Sequence, residues 1–494
     1  MNYYSTRGAS GEIGGCGAVA RGIAADGGLY IPEEFPHITP EEIEVLAGMD
    51  YIGRAKVILG MYFPEFFEVE MQALCEAAYG GEKFDCPEVA PTVKLDNDTH
   101  VLELFHGPTC AFKDMALQML PGLLTASLRK TGEDRKVCIL VATSGDTGKA
   151  ALEGFRDVKG SEIVVFYPRD GVSQVQKLQM ITQEGKNVHV CAVAGNFDDA
   201  QTGVKRVFAD AEIAKKLDDK GIFLSSANSI NWGRLAPQIV YYFSAYCDLL
   251  NEGVIKCGDM VNFCVPTGNF GNILAGFIAS LMGLPVNRFI CASNANDVLT
   301  DFIRTGTYDR NRTFKTTISP SMDILISSNV ERLIYLLSDC NAARTAERMK
   351  SLAETGKYTL SEMESAVLGE YFWGGCCDDE ATKAAIRANF DANGYTADTH
   401  TAVALSVLAD YRRETGDDTH TVVVSTASPY KFCDSVLSAV KGGAYESTTA
   451  LFAELKAATG VEIPAPLAGL DGKCVRFTDC IDRETLGDYV LKVL

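Results

Sequence analysis

Two glycine-containing turns in this chain each join an apolar run to a helical pattern, and both have the make-up of an anion site. In VNFCVPTGNFGNILAGFIASLMG, Gly268 and Gly271 allow the backbone to approach a ligand closely, and the N–H groups from Asn269 to Ile273 are the unpaired donors of the helix that begins there. A tight strand-to-helix turn that binds nothing is the bland alternative; two Gly and two Asn in five residues favour the anion. In VCILVATSGDTGKAALEGF, Thr143, Ser144 and Thr147 add hydroxyls to another helix N-terminus. Two such sites in one sheet suggest a cofactor and a substrate. The second loop is not a nucleotide-triphosphate loop, because Ala150 follows Gly148-Lys149 and Thr143 stands where the earlier glycine is required. A kinase or ATPase is thereby disfavoured.

Lys113 lies in LFHGPTCAFKDMALQML, between apolar neighbours and at the start of a helical pattern. A desolvated lysine near the positive end of a helix loses affinity for its proton and becomes a nucleophile toward an aldehyde, and later a base. On its own this signal is weak, since a lysine opening an amphipathic helix is more often solvated surface. His106 reads as a hydrogen-bonded structural histidine.

The elements that position these loops alternate. VCILVA, EIVVFYP, VHVCAVAG, MVNFCVPT, FICASN and TVVVSTAS are strand-like and are separated by helical stretches, which implies an α/β chain with open, mostly parallel sheet. Ligands in such folds sit beyond the carboxyl ends of the strands. Residues 1–90 read as a small N-terminal α+β unit, with a short strand in DGGLYIPEEFP and helices in PEEIEVLAG and FFEVEMQALCEAAYGG. Residues 91–494 form the larger domain, which reads as two α/β subdomains. Its polar, helical stretch at about 330–392 has the character of an insertion or cover. Gly11, Gly14, Gly15 and Gly17 follow no apolar strand and read as flexible loop.

Composition sets limits. The length of 494 residues calls for more than one core, and 47% hydrophobic with 22% charged residues is ordinary for a folded protein. A formal net charge of −20 disfavours nucleic acid and anionic membrane as partners. An anionic substrate would then need a locally basic site. Sixteen cysteines include no CxxC pair, so no metal site is legible, and most read as buried thiols in a reducing cytoplasm. The N-terminus lacks a signal-peptide pattern, and no long apolar run is present.

FHGPTCAFKD resembles the cofactor-lysine motif of threonine synthases, within fold type II of the pyridoxal-phosphate enzymes. NYYSTRG, GLYIPE, TSGDTG, VSQVQKLQM, GNFDDAQ, SANSINWGRLAPQIVYY, PTGNFGN, SMDILISSNVERL, THTAVA and STASPYKF also resemble family segments, in family order and across nearly the whole chain. The resemblance implies pyridoxal 5'-phosphate carried on Lys113 as a Schiff base, with Gly268, Asn269, Phe270, Gly271 and Asn272 holding its phosphate. It places Thr426 opposite the pyridine nitrogen, with Ser425 the adjacent alternative. Asp146 falls beside the phenolic oxygen, and Thr143, Ser144, Gly145 and Thr147 meet the substrate carboxylate and the cofactor ring. Arg234 and Lys177, with Asn228 and Asn231 as neutral donors, are expected at the substrate phosphate from motif position and charge.

Two departures stand out. Asp146 stands where many fold type II relatives have Asn, and Ser428 stands where many relatives have His. The implied reaction converts O-phospho-L-homoserine and water to L-threonine and phosphate, with Lys113 as the base. A phospho-lyase giving 2-oxobutanoate is the nearest rival, and a non-catalytic ligand-binding protein on the same fold is the rival from another class. The expected partner is the small-molecule substrate; monomer and homodimer stay open.

Overall fold

A computed structural model describes residues 1–8, 11–169 and 172–494. Its centre is a six-stranded sheet in the order Phe372–Cys376, Val286–Ser293, Val261–Pro266, Thr421–Ser425, Thr99–Glu103 and Thr92–Lys94. All neighbours are parallel except the last pair, which is antiparallel. A second, fully parallel sheet runs Cys480–Asp482, Val188–Ala194, Ser161–Pro168, Lys136–Ala142 and Ile222–Ser225. Val261–Pro266 is buried along its whole length, as expected of a parallel strand covered on both faces. The two glycine turns therefore follow strands of different sheets and not of a single sheet.

The helix Trp232–Asn251 is apolar nearly all round and packs against both Lys113–Leu117 and Gly271–Leu281, so one element aligns the two chemical loops. The N-terminal unit contains the antiparallel sheet of Asn2–Ser5, Ile13–Gly14 and Tyr30–Pro32. Its helices include Pro40–Ala47, opened by a reciprocal Thr39–Glu42 capping box. Gly15 and Gly17, expected in a loop, open the helix Gly15–Arg21 instead. A Cβ on Gly15 would come within 2.9 Å of the Tyr62 carbonyl, so close packing explains this glycine.

The stretch 330–392 is mostly helical, and it also supplies the edge strand Phe372–Cys376 of the central sheet. The Gly374-Gly375 doublet hid that strand from a reading by apolar pattern. The chain then crosses back, so that Cys480–Asp482 extends the second sheet and Tyr489 of the helix Leu486–Val493 packs edge-on to Phe166. Among the described residues no helix is long and apolar enough to cross a membrane, and no cluster of metal-ligating side chains occurs.

Candidate active site

Lys113 is the first residue of a short helix, Lys113–Leu117, and the loop before it is stitched to the carboxyl end of the strand Thr421–Ser425. The Phe112 N–H donates to the Thr426 carbonyl at 2.8 Å, Ala111 bridges Ala427, and the Ser428 N–H donates to the Cys110 carbonyl at 3.0 Å. The amine lies over the Phe112 ring, 4.6 Å from its centre, and forms no ion pair with a described residue. Burial lowers its pKa to about 8; Asp146 opposes that shift, while Arg234 and Lys431 add to it. A solvated surface role, the commoner reading of such a lysine from sequence, does not describe it. Thr426 is buried and its hydroxyl makes no hydrogen bond to a described residue, whereas Ser425 is engaged with Thr401 at 2.9 Å.

His106, in the same loop, is held at both ring nitrogens, by Asp85 at 2.6 Å and Glu103 at 2.9 Å. Burial works against its charge, yet the two carboxylates raise its pKa to about 9. It is a structural imidazolium, as its bland reading suggested.

The GNFGN turn is built as a cradle. None of the backbone N–H groups from Gly268 to Ile273 donates to another described residue. The carbonyls are turned the other way: Ser327 Oγ donates to Gly268 O at 2.7 Å, and the Asn329 N–H and Nδ2 both donate to Asn269 O at 3.1 Å. Phe270 takes the left-handed conformation, φ 61°, and its ring lies tilted against Phe372 at 5.7 Å. Asn272 Oδ1 accepts from Tyr241 at 2.6 Å and Tyr242 at 2.8 Å, which leaves its Nδ2 buried with no partner. A polar donor held in this way, beside six free N–H groups, fits a phosphate.

The second turn is shaped by Thr143, whose Oγ1 accepts from the N–H groups of Gly145 at 3.0 Å and Gly148 at 2.9 Å. Gly145 has φ 146°, and a Cβ there would lie 2.5 Å from Gln176 Cδ. Ser144 is exposed at the rim, Thr147 is half-buried, and Asp146 opens the helix Asp146–Phe155. Asp146 Oδ1 accepts from Gln176 Nε2 at 2.9 Å and pairs with Lys431 Nζ at 2.9 Å. Burial alone would raise its pKa, but Lys431 and Lys113 outweigh burial and hold the carboxyl well below the usual range.

The four residues expected at a substrate phosphate divide. Arg234 is buried, donates to the Ala227 carbonyl at 2.6 Å and has no acidic partner among the described residues. Burial lowers its pKa to about 10, so it stays cationic at neutral pH. Lys177 is half-buried and Asn228 exposed. Asn231 is used structurally: its Oδ1 caps the helix through the Gly233 N–H at 2.9 Å, and its Nδ2 donates to Val19 O at 3.0 Å.

Reasoning from sequence missed Lys431, Asn329, Tyr241 and Tyr242. Lys431 is a fully buried cation between Tyr430 and Phe432. A lysine set in an apolar SPYKF segment was the available signal, since such a charge requires a partner.

The chain matches the family models for the threonine synthase N terminus over residues 2–79, a pyridoxal-phosphate dependent enzyme over 86–427, and the threonine synthase C-terminal region over 401–490. It is 42% identical to threonine synthase-like 1 of Macaca fascicularis over 86% of this chain, of whose length it spans 58%. It is 40% identical to the threonine synthase of Pseudomonas aeruginosa, over 90% of this chain and 91% of that protein. The structure of pyridoxal-phosphate-bound threonine synthase from Brucella melitensis matches with a TM-score of 0.88 at 37% identity, covering 100% of this chain and 99% of that one. With the anion cradle, the uncommitted lysine and these matches in agreement, the chain belongs to the threonine synthase family of pyridoxal-phosphate-dependent enzymes.

Proposed function

We propose that this protein converts O-phospho-L-homoserine and water into L-threonine and phosphate. One observation carries the reading: Lys113 and Arg234, neither with an acidic partner among the described residues, lie on helices that pack together, and the Arg234 helix also packs the cradle. The cradle serves the cofactor phosphate and Arg234 the substrate phosphate. The cofactor's fit rests on the six free N–H groups and the orphaned Asn272 Nδ2.

Bound there, pyridoxal phosphate supplies an electron sink for the charge left when substrate protons are removed. Gly268, Asn269, Phe270, Gly271 and Asn272 would hold its phosphate, and the Thr426 hydroxyl, which makes no hydrogen bond to a described residue, would serve its ring nitrogen. Lys113 is the anchor and afterwards the base, taking the proton from Cα and then from Cβ; its pKa of about 8 keeps a useful fraction neutral at physiological pH. Ser144, Gly145 and Thr147 bind the substrate carboxylate on a loop that Thr143 shapes. Arg234, with Lys177 and Asn228 toward the rim, holds the phosphate as it departs from Cγ, and Asn231 secures the helix that presents Arg234. The cysteines are unpaired, which suits a reducing compartment, and we place the protein in the cytoplasm.

The test is a product assay with O-phosphohomoserine. Threonine and phosphate in equal amounts are expected; 2-oxobutanoate as the main product would assign the rival phospho-lyase reaction. Borohydride reduction of the loaded protein, followed by peptide mapping, should label Lys113, and label on another lysine would overturn the assignment.

A further inference from the structure

Lys431 lies outside every role given above, yet it is among the most enclosed charges in the molecule. Its side chain is 0% exposed. Its ammonium has three acceptors: Asp146 Oδ1 at 2.9 Å, Gln179 Oε1 at 2.6 Å and the Thr109 carbonyl at 3.2 Å. Three donors meeting three acceptors leave it no proton to offer a ligand. Its segment is fixed as well, because Ser428 Oγ caps the turn Pro429–Phe432 through the Tyr430 N–H at 3.3 Å. Thr109 is four residues before Lys113, so Lys431 bridges the loop that delivers Lys113 and the loop that delivers Asp146.

The alternative arrangement is easy to state. Asp146 is buried and Lys113 half-buried, and the helices they open, Lys113–Leu117 and Asp146–Phe155, pack against each other, so each charge is felt by the other. In a medium that solvates charge poorly, an unoccupied carboxylate would close on the nearest ammonium. Lys113 would then be a salt-bridged cation, neither a nucleophile nor a base.

We propose that Lys431 is a positioning residue that engages Asp146 in a buried ion pair and so keeps the carboxylate from pairing with Lys113. This rests on the reading of Lys113 as the cofactor lysine. The groups facing Lys113 are Asp146 on its loop, Arg234 on the long helix, Lys431 on the capped turn and the neighbouring Asp114. Asp114 is engaged by the Thr109 N–H at 2.7 Å and hydroxyl at 2.8 Å, which leaves Asp146 as the competing partner.

The test reads Lys113 directly, without turnover. Full-length protein freed of cofactor is mixed with pyridoxal phosphate at a series of pH values, and the rate of borohydride-trappable attachment to Lys113 is measured. The proteins compared are the wild type, Lys431→Met, Asp146→Asn and the double variant. Removing Lys431 should move the midpoint of the profile up by about one unit, or about tenfold slower attachment below both midpoints. Removing the Asp146 charge should move it down, and adding Lys431→Met to Asp146→Asn should move it back by clearly less than about one unit, because no carboxylate is left to close on Lys113.

A Lys431→Met shift that depends on the Asp146 charge is not expected of a merely structural role. An unchanged profile in Lys431→Met, or shifts of the same sign in the two single variants, would overturn the proposal. Should Lys431→Met fail to fold because Asp146 is left buried without a counter-ion, the charge-neutral double variant and Asp146→Asn decide the matter. A double variant whose midpoint lies about a full unit or more above that of Asp146→Asn also overturns the proposal, since Lys431 would then act on Lys113 by its own charge. Loss of attachment at Lys113 in the wild type itself would instead count against the cofactor assignment.

Discussion

The backbone N–H of Phe112 donates to the carbonyl of Thr426 at 2.8 Å, across 314 residues of chain. That bond and the Ala111–Ala427 bridge beside it make the Lys113 loop a short continuation of the central sheet. The amine that must meet a cofactor is thus placed by the central sheet, and the Thr426 hydroxyl is placed by the same contact. A site held this way depends less on loop entropy than one carried on free turns.

Glycine at position 268 should matter more than at 271. A Cβ on Gly268 would lie 2.8 Å from the Ser321 carbonyl and 3.2 Å from Met322 Cα, both backbone, whereas on Gly271 its nearest neighbour would be Asn329 Nδ2 at 3.3 Å. Gly268→Ala must move the cradle or the turn beside it, and overpacking of this kind costs about 1–3 kcal/mol. Cofactor affinity, titrated by absorbance, should fall about tenfold or more in Gly268→Ala and less in Gly271→Ala. The reverse order would remove Gly268 from the cradle's steric design.

Arg234→Ala should lower kcat/KM about 10- to 150-fold, as a charge-assisted hydrogen bond is worth about 1.5–3 kcal/mol. Inorganic phosphate should inhibit this variant more weakly, while cofactor affinity stays near the wild-type value. Wild-type kinetics would move the phosphate role to Lys177.

His106 offers a test of sign. Its folded pKa of about 9 is above the ordinary 6.5, so the native state binds the proton more tightly than the unfolded chain does. The stabilisation is complete below about pH 6.5 and is lost as pH rises through about 9. Denaturant titrations of wild type and His106→Gln should differ most at low pH and converge above pH 9. A gap that widens with pH would mean that the Asp85 and Glu103 contacts do not charge the ring.

The alternation of strand and helix was legible because parallel strands are continuous apolar runs, as in VCILVA and VNFCVP, and both strand-to-helix turns were legible from glycine placed before a helical pattern. Two features were not. The edge strand Phe372–Cys376 carries two glycines and no alternation, so its pairing is a tertiary fact. The Asp146–Lys431 pair joins residues 285 positions apart, and charge identity alone does not say which acid meets which base. Asn231 shows the converse limit: the residue type suited a phosphate, but capping uses its oxygen and Val19 its nitrogen.

Asn272 separates binding from folding. Its Oδ1 is fixed by Tyr241 and Tyr242, so the amide cannot flip to satisfy the buried Nδ2. A buried donor without a partner costs about 1–3 kcal/mol, and a cofactor phosphate in the cradle would remove that cost. Asn272→Ala takes away the orphaned donor and the acceptor of two tyrosines together, so its effect on the cofactor-free protein is a near balance of gain and loss. Its effect on the loaded protein is loss alone. Thermal melts should therefore show a small change without cofactor and a clearly reduced stabilisation when cofactor is added, matching about a tenfold weaker affinity. Tyr241→Phe provides the control, because it frees one of the two restraints on Oδ1 while leaving Nδ2 in place. It should weaken the cofactor less than Asn272→Ala does. Equal cofactor stabilisation in Asn272→Ala and wild type would show that Nδ2 finds no partner on the cofactor, and that the backbone N–H groups alone form the cradle.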